Sequence, residues 1–68
     1  MNKIVLVKNM KDISTPLLIE RELSHIVGAG EVSVDYENSK VAFSAIDQKA
    51  ERNVITKLNK IGLEVTEN

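Results

Sequence analysis

Few side chains in this sequence of 68 residues could ligate a metal ion or carry out catalysis. The chain has no cysteine and a single histidine, His25, so disulfides, thiolate metal sites, a thiol nucleophile and a multi-histidine site within the chain are excluded. The other candidates lie close together: Met10 offers a thioether, Asp12 a carboxylate, and Ser14 and Thr15 hydroxyls. His25 cannot share a coordination sphere with Asp12, because a predicted helix rising ~1.5 Å per residue separates them.

The chemistry open to this cluster is limited. Calcium takes about six to eight oxygen ligands and magnesium a near-ideal octahedron, so the single carboxylate of Asp12 supplies too little for either ion. Ser14 or Thr15 would need an activating base, and no His or Lys stands at a suitable spacing. Met10 could be a soft thioether ligand, although methionine commonly fills gaps in cores. Since paired carboxylates and glycine-rich phosphate motifs are also missing, we predict no catalytic residue, no cofactor and no enzymatic activity.

Composition argues against several classes of partner. Nine Lys and Arg against ten Asp and Glu give a formal charge of −1, which favours neither nucleic acid nor an anionic membrane. One Phe, one Tyr and no Trp leave little surface for base stacking. No apolar run approaches the ~20 residues of a membrane span, and the N-terminal run 4–7 is too short for a secretory signal. We therefore predict a single domain, 1–68, in the cytoplasm.

The first half of the chain has the pattern of a strand followed by a helix. Residues 4–7 form a β-branched apolar run typical of a strand, and residues 8–12 are polar and irregular, as in a loop. Thr15 is the predicted N-cap of a helix, with Pro16 in its first turn. Gly28 is the predicted helix terminator. The apolar stripe of this helix comprises Ile19, Leu23 and Ile26.

The second half predicts a hairpin, a helix and a last strand. Polar and apolar residues alternate in 31–35 and 40–44 around a turn at 37–39. Asp47 is the predicted N-cap of the second helix and Gly62 its terminator, before an alternating strand over 63–66. The inner face of that helix comprises Ala50, Val54, Leu58 and Ile61. The order β-α-β-β-α-β predicts an α+β, ferredoxin-like fold: a four-stranded antiparallel sheet with two helices on one face.

The spacing of many residues resembles that of heavy-metal-associated domains, the modules of copper chaperones, mercury-binding proteins and the N-terminal tails of metal-pumping ATPases. The residues that carry the resemblance are Met10, Ile19-Glu20, Leu23, Ile26, Gly28-Ala29, Val32-Ser33-Val34, Lys40-Val41 and Lys60-Ile61-Gly62. They align without insertion or deletion through the first three elements, and the resemblance covers nearly the whole chain. It implies the same ferredoxin-like fold.

The resemblance fails at the metal-binding motif Gly-Met-x-Cys-x-x-Cys. The two cysteine positions hold Asp12 and Thr15, and the glycine position holds Asn9. In the family two thiolates bind a soft ion such as Cu(I) or Hg(II), and neither a carboxylate nor a hydroxyl replaces them. We therefore predict a degenerate metal site on an intact scaffold. Two alternatives stay open. One is a metal-binding or transport-linked protein that uses a non-cysteine or intermolecular site, such as Met10 with residues of a partner or second copy. The other is a regulatory domain related to the ATPase tails.

Two groups of residues are candidates for contact with an unknown protein partner or for self-association. In the family, the end that holds the metal loop docks onto partner proteins, and here that end carries Lys11, Asp12, Ile13 and Leu17. Single exposed apolar residues are also normal on protein surfaces.

The second group lies on the predicted uncovered face of the sheet. The family register places Ile4 and Leu6 there, beside Ala42 and Ser44. Such a modest apolar patch indicates either an interface or ordinary strand propensity.

Overall fold

The computed structural model describes residues 2–10 and 12–66, and this part of the chain forms one four-stranded sheet and two helices. The elements are β1 (Asn2–Lys8), α1 (Thr15–Leu23), β2 (Ala29–Asp35), β3 (Lys40–Ala45), α2 (Gln48–Lys60) and β4 (Glu64–Thr66). The sheet has the order β2-β3-β1-β4, and all neighbouring strands are antiparallel. The predicted β-α-β-β-α-β, ferredoxin-like fold is confirmed.

The core lies between one face of the sheet and the two helices. In β1, Val5 and Val7 are fully buried and pair with Val41 and Val65 of the adjacent strands. The helices contribute their apolar stripes to the same cluster, so both cover the same face of the sheet. The buried residues of the cluster are Val5, Val7, Ile19, Leu23, Val41, Phe43, Ala45, Ala50, Val54, Leu58 and Leu63.

Helix α2 begins and ends as predicted. The Asp47 carboxylate accepts a hydrogen bond from the Ala50 amide at 2.8 Å, which satisfies one free N–H of the first turn. At the other end Gly62 has φ +98°, and its amide and that of Leu63 donate to the carbonyls of Asn59 and Leu58, both at 3.1 Å. These two bonds form a Schellman motif, the glycine-dependent C-terminal cap.

The start of α1 differs from the prediction. Thr15 is the first helical residue and not the N-cap, which is Ser14 in a helical conformation (φ −81°, ψ −12°). Among the described residues, no side chain caps this end as Asp47 caps α2. The Asp12 carboxylate instead accepts the Ser14 amide at 3.0 Å, so the turn before the helix supplies the acceptor.

The end of α1 also differs from the prediction. The helix stops at Leu23, well before Gly28. The amides of His25 and Ile26 then donate to the carbonyls of Glu22 and Leu23, a tighter pattern of three-residue turns. These turns pack Ile26 against the core. Gly28 does adopt φ +87°, but it shapes the connection to β2 and not the helix terminus.

Strand β2 begins earlier than predicted and contains a bulge. Glu31 has φ +50°, and the pairing with β3 shifts register between Gly30 and Ser33. The Ser44 hydroxyl donates to the Gly30 carbonyl at 3.1 Å beside this irregularity. The alternation over 31–35 therefore indicated the strand correctly but could not indicate the extra residue at its start.

Candidate functional site

The candidate site is the loop between β1 and α1, where the resembling family holds its metal. Asn9 has φ +74°, in the left-handed region that favours glycine. The family has glycine at this position, and asparagine is one of the few other residues that tolerate the conformation. The substitution is therefore compatible with the left-handed backbone at the start of the loop.

Asp12 and Thr15, at the two cysteine positions, are joined by the backbone of this loop. The Thr15 amide donates to the Asp12 carbonyl at 2.9 Å, while the Asp12 carboxylate accepts the Ser14 amide at 3.0 Å. Hydrogen bonds from the Ser14 amide and hydroxyl lower the pKa of Asp12 from its ordinary value. The carboxylate is exposed and anionic at neutral pH, and it stabilises the turn that begins α1.

The donor atoms at this site do not fit a soft metal ion. A carboxylate and a hydroxyl are hard ligands, whereas Cu(I) and Hg(II) prefer thiolates. Met10, the nearby thioether, is half-buried and packs against the core. In residues 2–10 and 12–66, no three His, Cys, Asp or Glu side chains lie together in a way that could hold a metal ion.

An apolar surface stands at the same end of the molecule. Ile13 is 77% exposed and Leu17 is 64% exposed, and Leu18 adds a third exposed apolar side chain. We call these three residues the apolar tip. Ile13 and Leu17 are predicted contact residues, whereas Leu18 was not predicted, although it lies off the stripe formed by Ile19 and Leu23. Lys11, the fourth predicted contact residue, lies outside the described residues.

The open face of the sheet carries the second predicted group. Ile4 is 60% exposed and lies opposite Ala42, as the prediction required. Leu6 is half-buried and lies opposite Lys40 on one side and Thr66 on the other. Ser44 pairs with Asn2, two residues before Ile4. Ile4, Leu6, Ala42 and Ser44 therefore lie on the same face of the sheet.

His25 is exposed and takes no part in the loop. Glu22 of α1 contacts Lys57 of α2 at 3.7 Å, which links the two helices. Two further exposed apolar residues, Val27 and Ile46, follow α1 and β3 and were not predicted as site residues. Each directly follows a residue that packs in or against the core, Ile26 or Ala45, so apolar character alone could not mark it as exposed.

The fold is that of heavy-metal-associated domains, because solved structures of such domains superpose on nearly the whole chain. Oxidized MerP from Ralstonia metallidurans is 14% identical, with a TM-score of 0.86, and covers 100% of this chain and 96% of its own. The CopZ metallochaperone is 20% identical, with a TM-score of 0.85, and the match covers 97% of this chain and 100% of CopZ. A copper-binding domain from HMA7, a P-type ATPase, is 17% identical, with a TM-score of 0.85, and the match covers 98% of this chain and 92% of that domain.

The resemblance predicted from the sequence is thus confirmed at the level of fold. No protein-family model and no curated protein sequence matches the chain. Neither α1 nor α2 is long and apolar enough to cross a membrane.

Proposed function

We propose that this protein is a cytoplasmic protein-interaction module built on the heavy-metal-associated scaffold, with a degenerate soft-metal site, and that 1–68 acts as a single domain. It has no catalytic role and needs no cofactor. The observation that carries the proposal is the replacement of both thiolate positions by Asp12 and Thr15 beside an exposed apolar tip. The scaffold then displays a contact surface where its relatives display a metal.

The loop geometry supports the loss of the metal site. Asp12 serves the start of α1 through its bond to the Ser14 amide, and the Thr15 amide is bonded to the Asp12 carbonyl. Both residues therefore have local structural roles that need no ion. Met10 contributes to the core, which accounts for its presence without a ligand role.

The exposed tip supports the interaction role. Ile13 and Leu17 keep more than half of their surface in contact with water, although the chain is small and its core is thin. Burial of such side chains against a partner stabilises a complex by about 1.5–3 kcal/mol for each fully buried residue. The partner would be another protein that presents an apolar surface to this end of the molecule.

A Cu(I) titration against a competing chelator tests the degenerate site. The unaltered protein should leave Cu(I) with the chelator, whereas the double variant Asp12→Cys/Thr15→Cys should remove it, because the scaffold then supplies two thiolates. The double variant Asp12→Ser/Thr15→Ser is the matched control, with side chains of similar size and no thiol. Tight Cu(I) binding by the unaltered protein would favour the intermolecular methionine-containing site instead.

Site-specific photo-crosslinking in cells of the source organism tests the interaction role. A crosslinker that replaces Ile13 should join the protein to a defined partner, and Leu17→Ser should weaken that product. A crosslinker at Gln48, an exposed residue at the start of α2 and at the opposite end of the sheet from the β1–α1 loop, is the control. Identical products from both positions would contradict a specific contact at the tip, and a product of twice the chain mass would identify self-association.

A further inference from the structure

A groove on the helix side of the molecule lies apart from the β1–α1 loop. It consists of two adjoining depressions of about 380 and 300 Å³, and Val27 and Asn53 line both. The larger depression runs along α2 to Lys60, and the smaller reaches Ile46 and Lys49. We call this surface the helix-side groove.

The apolar part of the groove is held in a fixed position. Val27 is 90% exposed and Ile46 is 77% exposed. The two loops that carry them are joined by a hydrogen bond from the Ile46 amide to the Gly28 carbonyl at 2.9 Å. A Cβ atom on Gly28 would lie 3.0 Å from the Ile46 side chain, so the loops are also closely packed. Such preorganisation lowers the entropic cost of binding.

The groove is cationic although the chain as a whole is slightly acidic. Three lysines, Lys49, Lys57 and Lys60, line the two depressions against one acidic residue, Asp47, which is the N-cap of α2. Glu51, the acidic residue of α2, lies outside both depressions and pairs with Lys3 of β1 at 3.1 Å. Lys57 is paired with Glu22, whereas Lys49 and Lys60 are exposed. The lining therefore carries an excess of positive charge.

We propose that the helix-side groove binds an acidic segment of a partner protein that also carries apolar side chains. The apolar side chains of that segment would cover Val27 and Ile46, and its carboxylates would lie near Lys49 and Lys60. The charge of the groove selects an anionic ligand, and its exposed valine and isoleucine select one with apolar side chains. The groove lining includes no Phe, Tyr or Trp, and His25 is its single ring, which leaves little surface on which nucleic-acid bases could stack. The proposal is independent of the apolar tip.

Titration of the isotope-labelled protein with short synthetic peptides, followed by amide NMR shifts, tests this proposal. The probe is acetyl-Glu-Leu-Asp-Leu-Glu-amide, and the controls replace its acids by Lys or its leucines by Ser. Saturable shifts at Val27, Asn53 and Lys60 are expected with the probe. Both control peptides should bind at least about fivefold more weakly, because each lacks one of the two contributions.

Matched variants locate the binding surface. Val27→Ser should weaken binding about tenfold, as expected for loss of one apolar contact, whereas Ile13→Ser at the apolar tip should leave it unchanged. Lys49→Gln should weaken binding about two- to fivefold, whereas Arg52→Gln, on the same helix but outside both depressions, should have no effect. All four side chains are exposed, so the fold should tolerate these changes.

Three results would overturn the proposal. If the basic control peptide bound as tightly as the acidic probe, charge would play no role in binding. If a single-stranded oligonucleotide gave the same shifts as the probe, the groove would be a surface that binds any polyanion. Concentration-dependent shifts at Val27 without any peptide would show that a second copy covers the groove. Ile13→Ser alters the apolar tip and leaves the groove intact. A failure of peptide binding at the groove is therefore distinguishable from a failure of the proposed protein contact at the tip.

Discussion

The two helices pack on the same face of one sheet, yet they begin and end in different ways. Helix α2 has a side-chain cap from Asp47 at its start and a Schellman motif at Gly62 at its end. Helix α1 starts behind a turn stabilised by Asp12 and ends in tight turns after Leu23. The limits of α2 are thus set by residues at its own ends, whereas those of α1 depend on the loops and core around it.

This difference shows how little the packing of α1 depends on the residues of the candidate site. The β1–α1 loop precedes α1, and that helix is held mainly by the burial of Ile19 and Leu23. Neither residue belongs to the loop. Substitutions at Asp12 and Thr15 therefore alter the chemistry of the surface without removing the contacts that hold the helix on the sheet.

Core truncation should give the largest effects and sharpen the comparison between the helices. Leu23→Ala and Leu58→Ala each remove a fully buried side chain and should lower the free energy of unfolding by about 2–5 kcal/mol in urea denaturation. Amide hydrogen exchange should then show a greater local loss of protection in α1 for Leu23→Ala than in α2 for Leu58→Ala. Equal local losses would mean that the caps of α2 contribute nothing to its persistence.

The next largest difference is expected between two glycines with positive φ. Gly62→Ala forces a residue with a Cβ into the left-handed region at an open site among the described residues, and should cost about 1–2 kcal/mol. Gly28→Ala adds contacts of 3.0 Å with Ile46 and 3.1 Å with Ala50, so it should cost about 1–3 kcal/mol more. Thermal unfolding of both variants measures the difference. If Gly62→Ala were less stable than Gly28→Ala, the α1–β2 connection would have to shift enough to accommodate the added methyl group at Gly28.

Removal of the caps should have smaller effects. Asp47→Ala leaves the Ala50 amide without its side-chain acceptor and should cost about 1 kcal/mol, whereas Asp47→Asn should restore most of that loss because asparagine also caps well. Ser14→Ala should change the free energy of unfolding by less than about 0.5 kcal/mol, as for other exposed positions. Urea denaturation checks all three. A larger loss for Ser14→Ala would contradict the difference between the helix starts.

Lowering the pH should have the smallest effect on the stability of the protein. Hydrogen bonds from Ser14 lower the pKa of Asp12, and hydrogen bonds from Asn38 lower that of Asp35, both from 3.8. A carboxyl whose folded pKa is depressed contributes stability above its unfolded pKa and loses it as the pH falls through the folded value. Stability should therefore decline below about pH 3.8.

Carbon-detected NMR titration of the two carboxyl groups measures this shift directly. Asp12→Asn and Asp35→Asn should each remove part of the acid dependence, which identifies the group responsible. A carboxyl of Asp12 that titrates at or above 3.8 would contradict its role in the turn before α1.

The sequence by itself determined the element order, the apolar stripes and both ends of α2. These features depend on residues within one turn or one strand of each other, such as the Asp47 carboxylate and the Ala50 amide, or Gly62 and the last carbonyls of the helix. It also brought Asp12, Ile13 and Thr15 into one candidate surface, because residues of a short loop are necessarily neighbours. Local periodicity and capping were sufficient for these predictions.

Only the tertiary structure decided the features that join distant parts of the chain. The end of α1 and the bulge at Glu31 follow from how the chain must pack and cross to β3, and nothing in the local pattern specifies either. The pairing of Leu6 with Lys40 depends on a register between two strands. The helix-side groove exists because folding brings Val27 beside α2 and Ile46, and short-range sequence signals do not report contacts made over such separations.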